Sequence, residues 1–285
     1  MTALTVCATT ALAAGCGGTE GAGAGNPYGL AQPGVLMTGA ESDQKPFAFA
    51  GKEGATQGFA VDLINEFAHR RGLKVQYRST DIAGLLTGIK TGRYDIGASA
   101  LNPTPERSKN VGFTKPFYWG YTAVLTTRST SADASGDFDG KKVGVTLGSV
   151  QEAYVAEHMP KAKIIRFRDA TGAVSQLLSG GIDGVALGGT VAEDLIKQYS
   201  SLRIAIETSQ PAGASLPLPK GSPLRPAFDS TMARMVKDGT YLKLYRKWLA
   251  KPPRKQLIGV WPDLSPQLKK GSPTSSATGS ASGKP

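Results

Sequence analysis

The sequence predicts an α/β protein built from two similar units, each a mainly parallel sheet flanked by helices. Two observations predict this class. Short apolar runs alternate with segments of helical periodicity, and the alternation occurs twice, on either side of a polar stretch at residues 129–139. A strand–helix–strand rhythm places successive strands parallel and packs the connecting helices on the sheet. A length of 285 residues is sufficient for two units with separate cores.

The first unit is expected to alternate strand and helix over about the first hundred residues. Its predicted helix begins near Gly58 and ends at Gly72, because Leu63, Ile64 and Phe67 share one face and the final glycine suits a helix terminus. The expected strands lie at 35–37, 73–77 and 94–100, and the second helix at 83–90.

The second unit repeats this order and is followed by two further helices. The strands are expected at 143–146, 164–167 and 184–187, and the helices at 150–158, 172–178 and 191–199. A Pro- and Gly-rich stretch at 211–226 leads to the final helices, whose apolar stripes include Phe228, Met232 and Tyr245 and indicate core packing. Two units joined near residues 121–128 would leave a cleft between them.

Composition excludes several classes of function. With 40% hydrophobic and 19% charged residues the chain is typical of a globular protein, and its net charge of +11 is scattered, without the basic patch and stacking aromatics of a nucleic-acid binder. The two histidines, His69 and His158, lie on different predicted helices with no second ligand nearby, so no metal, cofactor or catalytic histidine is expected. Residues 263–285, rich in Ser, Gly, Pro and Lys, predict a disordered tail.

The N-terminus indicates export. Both cysteines, Cys7 and Cys16, lie in the first sixteen residues, so no disulfide is expected in the mature fold. Residues 2–14 are uncharged, apolar and too short to span a bilayer, which predicts a signal peptide over 1–15. The small residues before Cys16 resemble a bacterial lipobox, which implies a lipid anchor on Cys16 and a flexible tether over 16–33. A cleaved secretion signal without lipid is the alternative.

Two places have the residue types of an anion site. Arg107 follows the end of the 94–100 strand, and a guanidinium is an always-charged, forked donor suited to a carboxylate beyond a strand end. An ordinary surface arginine is the alternative. Ser149 follows a strand and opens a predicted helix, where free N–H groups and a hydroxyl would face an anion. It could equally be a plain N-cap.

Six segments in order resemble the family-3 bacterial extracellular solute-binding proteins, the polar amino-acid receptors of ABC importers. They are residues 45–49 (KPFAF), 58–63 (GFAVDL), 104–107 with 113–117 (TPER, FTKPF), 140–145 with 148–149 (GKKVGV, GS), 181–185 (GIDGV) and 238–248 (DGTY to KW). The resemblance covers residues from about 34 to 250.

The resemblance implies a two-lobed periplasmic-binding-protein type 2 fold with two hinge crossings. Lobe one would comprise residues 34–124 and 212–262, and lobe two residues 125–211. It further implies a monomer, held at the outer face of the plasma membrane, that performs no catalysis. Such a protein binds one small solute between its lobes and delivers it to the ABC permease.

The resemblance also assigns roles to individual residues. Arg107 matches the family's clamp on the ligand carboxylate, with Ser149, the amide of Val150 and the side chain of Asn102 as further donors. The backbone carbonyl of Ala100 matches a contact to the ligand ammonium. Walls of the ligand site are implied at Ile82 and in segment 44–47, which includes Phe47.

One departure bears on the ligand. Gly188 stands where the family usually has an aspartate that pairs with the ligand ammonium. Because burying an ammonium without a partner costs several kcal/mol, an α-amino acid fits only if Glu41 or Asp43 supplies the charge. The expected ligand is therefore a small carboxylate-bearing solute, with amino acids the first subclass and other carboxylates open.

Two alternatives to a transport receptor remain open. Some proteins similar to these receptors are dehydratases of prephenate-like carboxylates, and an acid among Glu41, Asp43 or Glu193 inside the cleft would favour that activity. A surface lipoprotein or sensor partner that no longer transports would be favoured by a cleft filled with its own side chains.

Overall fold

The computed structural model describes residues 25–270. The predicted signal peptide and Cys16 lie outside these residues. In chain order the first elements are β1 (Val35–Glu41), β2 (Asp43–Gln44), β3 (Ala48–Ala50), β4 (Thr56–Gln57), α1 (Phe59–Arg70), β5 (Lys74–Thr80), α2 (Ile82–Lys90), β6 (Ile96–Ala98), α3 (Pro105–Asn110) and β7 (Gly112–Phe113). They are followed by β8 (Tyr121–Thr127), β9 (Lys142–Thr146), α4 (Val150–His158), β10 (Lys163–Phe167), α5 (Ala170–Leu178), β11 (Gly184–Gly188), α6 (Gly189–Gln198), β12 (Leu202–Ser209), β13 (Pro217–Leu218), α7 (Leu224–Lys237), α8 (Thr240–Trp248), α9 (Lys255–Val260) and α10 (Leu264–Lys270).

The first lobe is organised on a three-stranded parallel sheet in the order β5-β1-β6. Helix α1 packs its apolar face into a core that also contains the buried faces of α7 and α8. Phe59 is central to this core, with its ring centroid 5.6 Å from that of Phe117 and 5.5 Å from that of Tyr245. Helices α7 and α8, which follow the second lobe in the chain, therefore belong to the first lobe.

The second lobe is a five-stranded mixed sheet in the order β10-β9-β11-β8-β12. Strands β9, β10 and β11 are parallel, as the rhythm predicts, whereas β8 runs antiparallel to both of its neighbours. Residues 121–128, where the two units are expected to join, include β8, and this strand is buried over six of its seven residues. The lobe boundary expected at residue 124 falls inside this strand.

Both ends of the described chain are more ordered than the sequence predicts. The tether expected over 16–33 is wrong in its last part, because Leu30 belongs to the first lobe's core and the amide of Ala31 donates to Asp95 Oδ1 at 2.7 Å. The tail expected to be disordered from residue 263 instead forms α10 up to Lys270, and the side chain of Leu264 is buried. Each segment is held by a buried apolar side chain, Leu30 or Leu264, that packs in the first lobe's core.

Among residues 25–270, no helix combines the length and the apolar character that crossing a bilayer needs.

Candidate functional site

A cavity of about 340 Å³ lies between the two lobes. Its walls include residues at or just after the ends of β1 and β6 on one side and of β9 and β11 on the other. The carboxyl ends of strands are where open α/β sheets bind ligands, and the volume is that of a small-solute pocket. The cavity is not filled by the protein's own side chains, so the condition that would favour a non-transporting protein is not met.

Arg107 lies at the boundary between the lobes. The hydroxyl of Thr104 caps α3 by accepting from the Arg107 amide at 3.2 Å, which fixes the backbone. The side chain is 9% exposed and donates to the carbonyl of Asn102 at 2.8 Å and to that of Gly148, in the second lobe, at 2.7 Å. Burial lowers the pKa of Arg107, while Glu41 opposes the shift. A guanidinium has five N–H groups, so donors remain for an anion.

Asn102 has a different role from the one the resemblance implies. Its Nδ2 donates to the carbonyl of Ala212 at 2.6 Å and to Gln210 Oε1 at 3.2 Å. Two bonds use both N–H groups of the amide. The side chain therefore ties the end of β6 to the crossing that returns to the first lobe. The backbone carbonyl of Asn102, by contrast, accepts from Arg107.

The opposite wall contains the start of α4. Ser149 is its N-cap, since Ser149 Oγ accepts from the amide of Glu152 at 3.1 Å. Both Ser149 and Val150 line the cavity. The amides of the first helical turn have no partner within a helix, so the amide of Val150 is a donor suited to an anion.

Phe47 and Ile82 form apolar parts of the wall, as the resemblance implies. Both side chains are buried and line the cavity. The ring of Phe47 lies 4.8 Å from that of Tyr118, whose hydroxyl forms a short hydrogen bond with Thr190 of the other lobe. Sequence reasoning did not single out Tyr118 or Thr190, because only the fold brings them together.

Gly188 lies at the end of β11 and caps α6 without a side chain. A Cβ added there would meet no heavy atom within 4 Å, and the backbone φ of −64° suits any residue. The six consecutive wall residues in this region are uncharged, namely Ala186, Leu187, Gly188, Gly189, Thr190 and Val191. None of these six residues offers a carboxylate to a ligand ammonium.

Glu41 is a buried acid at the end of β1 that lines the same cavity. Its side chain is 4% exposed and accepts a short hydrogen bond from the hydroxyl of Ser99. Burial raises the pKa of Glu41 to about 7, helped by Asp43, while the Ser99 bond and the charge of Arg107 oppose the shift. The carboxyl group is thus poised between its neutral and ionised forms near neutral pH.

The other three acids of the cavity are engaged by the protein itself. Asp43 accepts from the amide of Ala170 at 2.9 Å across the lobes. Asp81 accepts from the amide of Gly84 and from Arg168, and Asp169 accepts from the amide of Gly172. Within residues 25–270, the hydroxyl of Ser99 is the only hydrogen-bond partner of the Glu41 carboxylate. Among residues 25–270 no cluster of three His, Cys, Asp or Glu side chains could hold a metal ion.

Ala100 meets a neighbour that the resemblance does not imply. Its amide donates to Gln44 Oε1 at 2.7 Å, and both residues line the cavity.

Glu193, the third acid that the sequence offers for a dehydratase, accepts from Tyr121 and, at 2.6 Å, from Lys251. It is not among the lining residues.

The chain belongs to the bacterial extracellular solute-binding proteins, family 3, whose sequence profile matches residues 36–251. The arginine-binding extracellular protein ArtP of Bacillus subtilis (strain 168) is 30% identical over 219 residues, covering 75% of this chain and 85% of the relative. Relatives of this kind are amino-acid-binding proteins of ABC importers.

Solved structures show the same fold. An ancestral arginine-binding protein bound to glutamine superposes with a TM-score of 0.74 at 30% identity, covering 77% of this chain and all of that one. An ancestral amino-acid-binding protein, AncCDT-1, described as a precursor of cyclohexadienyl dehydratase, gives 0.69 at 32% identity over 75% and 95% of the two chains. The two-lobed type 2 periplasmic-binding fold is thus confirmed.

Proposed function

We propose that this protein is the extracytoplasmic substrate-binding component of an ABC importer, and that it captures a small carboxylate-bearing solute between its lobes. Amino acids are the first subclass to test. The observation that carries the proposal is Arg107, a buried guanidinium at the cavity that uses two of its five N–H groups on backbone carbonyls of the described residues. A buried cation that is only partly paired favours binding of an anion.

Capture would couple to lobe closure. Arg107 belongs to the first lobe, and the Gly148 carbonyl and the Val150 amide belong to the second. A carboxylate placed between the guanidinium and the start of α4 would contact both lobes at once. Because the ligand then binds the closed form better than the open form, it shifts the population toward closure, which is the form the permease would recognise.

The test is a binding screen of the full chain against amino acids and their deaminated carboxylate analogues, read first as a thermal shift and then as a dissociation constant. A ligand that binds only the folded state raises its melting temperature. Arg107→Ala should lower the affinity for the best ligand by about thirtyfold or more, because a buried charge-assisted pair is worth about 2–5 kcal/mol.

Arg93→Ala is the matched control, since Arg93 is exposed and is not among the cavity residues. An Arg107→Ala protein that folds and binds with an unchanged dissociation constant would overturn the assigned site.

The proposal extends to the cell surface. Cleavage after residue 15, lipid on Cys16, a monomeric state and a permease partner remain predictions from the sequence. Cys16→Ser should release the protein from the membrane fraction into the medium of an expressing cell. Equal membrane retention of the variant and the natural protein would contradict the lipid anchor.

Glu41 supports a second candidate function, acid-catalysed loss of water together with carbon dioxide from a prephenate-like carboxylate, in which the C–O bond to the hydroxyl breaks as the ring carboxylate leaves as carbon dioxide and the ring becomes aromatic. The carboxyl group lines the cavity with Arg107, and its pKa of about 7 suits proton donation to a leaving hydroxyl. Incubation with prephenate or arogenate would then yield an aromatic product, which is detected by its ultraviolet absorbance. If product forms and Glu41→Gln abolishes its formation, the protein acts as a dehydratase. If the protein binds solute but shows no turnover, the receptor function stands.

A further inference from the structure

A basic surface lies on the first lobe, on the side of α1, α7 and α8 and away from the cavity. The sequence spaces its basic residues widely, but residues 231–270 contain ten Lys or Arg against two Asp, and so carry most of the net charge of +11. The fold gathers five cations of this side around the junction of α7 and α8. We call them the basic face: Arg71, Arg234, Lys237, Lys243 and Lys269.

Contacts between helices bring these residues to one junction. Arg71, which follows α1, and Arg234 of α7 both donate to the hydroxyl of Thr231. Lys237 ends α7, and Lys243 lies in the first turn of α8. The side chain of Gln267 in α10 donates to the carbonyl of Val236, which brings the end of α10, with Lys269, to the same place.

The centre of the basic face is a pair of guanidinium groups that share one neutral acceptor. Thr231 is buried, and its Oγ1 accepts from Arg71 Nη2 at 2.9 Å, from Arg71 Nε at 3.3 Å and from Arg234 Nη2 at 2.8 Å. A hydroxyl oxygen has only two lone pairs, so three N–H groups exceed what it can accept. Two like charges therefore adjoin, with N–H groups left over for an oxyanion.

No ion pair within residues 25–270 includes a member of the basic face. Two acids lie close by, Glu66 and Asp238, but Arg70 binds both, each at 2.7 Å. Arg71 and Arg234 consequently have no carboxylate partner among the described residues. Convergent arginines suit a phosphate group, because the guanidinium fork matches two phosphate oxygens at once.

The surroundings favour a lipid surface over a protein partner. Protein interfaces usually bury large apolar or aromatic anchors. Among residues 25–270 the exposed large apolar side chains are Leu147 and Leu178, and both belong to the second lobe. A layer of anionic headgroups requires only positive charge and phosphate contacts, which the basic face offers.

The N-terminal segment leads to the same helices. The ring of Tyr28 lies 6.1 Å from that of Phe67 in α1, which lies 5.0 Å from that of Phe228 in α7. Cys16, the predicted lipid site, precedes Gly25 by nine positions. A chain of that length reaches at most about 30 Å. A lipid on Cys16 would therefore hold the first lobe, on the side of α1 and α7, close to the bilayer.

We propose that the basic face docks on the anionic phospholipid surface of the membrane, with Arg71 and Arg234 binding a headgroup phosphate. The inference rests on the proposed function in one respect, the extracytoplasmic position beside a membrane. It adds a second binding site, on the outer side of the first lobe and separate from the solute cavity.

The experiment measures co-sedimentation of the full chain carrying Cys16→Ser with vesicles. One set contains equal parts of phosphatidylglycerol and phosphatidylcholine, and the other contains phosphatidylcholine alone. Cys16→Ser removes the predicted lipid site, and all variants share one N-terminus, so differences between variants report the basic face. Binding should require the anionic lipid and should weaken from about 0.1 M to about 1 M salt, because the Debye length falls from about 10 Å to about 3 Å.

Two double variants test the residues. Lys237→Gln with Lys243→Gln should weaken binding to the anionic vesicles roughly twenty-fivefold, because each basic residue near such a surface contributes about fivefold. These two side chains are exposed and pair with no acid among the described residues, so the variant should fold. Arg71→Lys with Arg234→Lys keeps the charge but loses the forked donors, and should weaken binding severalfold.

Lys90→Gln with Arg93→Gln is the matched control. It removes the same charge from exposed positions at the end of α2, beside the separate core cluster that contains Ile89 and Tyr94. Its binding should remain close to that of the parent protein. Equal binding to both kinds of vesicle, or an equal loss in the control and in the Lys237→Gln, Lys243→Gln variant, would overturn the docking surface. Unchanged binding of the folded Arg71→Lys, Arg234→Lys variant would overturn the phosphate contact.

Two further readouts separate the possible outcomes. Inorganic phosphate that raises the melting temperature of a protein without vesicle binding would identify a site for free phosphate and would overturn the docking proposal. The basic face does not line the cavity, so solute affinity should be unchanged in every variant. Failure of vesicle binding with intact solute binding would leave the receptor function standing, whereas vesicle binding without binding of any carboxylate would contradict the proposed function alone.

Discussion

Replacing Gly188 with aspartate should strengthen binding of α-amino acids. The position lines the cavity, an added Cβ meets no heavy atom within 4 Å, and the wall around it is uncharged. Aspartate is also a preferred N-cap, and Gly188 caps α6 without a side chain, so the fold should gain a few tenths of a kcal/mol.

The size of the effect follows from Coulomb's law and the cost of dehydration. An ammonium and a carboxylate 4 Å apart attract by about 4 kcal/mol at an effective dielectric constant of 20. Dehydrating the new carboxylate offsets part of this attraction, which leaves about 2 kcal/mol, or roughly a thirtyfold gain in affinity. Carboxylates without the α-ammonium should gain nothing, because they lack the charge that the new group pairs with.

Calorimetric titration with an α-amino acid and its deaminated analogue measures the gain. Gly259→Asp serves as the control, because Gly259 is exposed, also has open space around an added Cβ, and is not among the cavity residues. An unchanged dissociation constant for the α-amino acid in a folded Gly188→Asp protein would refute the reasoning, since residue 188 would then not face the ligand ammonium.

Two further predictions concern stability. The pKa of Glu41 in the folded state, about 7, exceeds the ordinary value of 4.5, so the folded state binds the proton more tightly than the unfolded state. The free energy of unfolding should therefore fall by about 3 kcal/mol as pH rises from about 4.5 to 7. Glu41→Gln should flatten this part of a profile of melting temperature against pH, and an equally steep profile in the variant would contradict the assignment. Asp95→Ala should lower the unfolding free energy by about 2 kcal/mol in urea titrations, because the amides of Ala31 and Met37 lose their acceptor; a loss of less than 0.5 kcal/mol by the same measure would indicate that water replaces the carboxylate.

The parallel core of each lobe could be predicted from the sequence because its signal is local. Apolar runs such as 143–146 and helices such as 150–158 show their periodicity within a few residues, and the structure has β9 and α4 there. Strands β8 and β12 follow no strand–helix–strand rhythm. Their pairing joins residues far apart in the chain, so the sequence alone did not reveal them.

The candidate site was predictable only in part. Arg107 and Ser149 stand out because a charged or capping residue directly follows a strand. The group formed by Glu41, Gln44 and Ser99 could not be predicted in the same way, because parallel pairing of β1 with β6 brings residues more than fifty positions apart into contact. The packing of residues 26–32 likewise depends on a distant acid, Asp95.

The most direct test of the account is a crystal structure of the complex with the tightest-binding solute from the screen. We expect a ligand carboxylate in the cavity between the lobes, with an oxygen about 2.8 Å from a guanidinium nitrogen of Arg107. A solute bound in this cavity with no anionic oxygen within hydrogen-bond distance of Arg107, or one bound outside the cavity, would contradict the central claim.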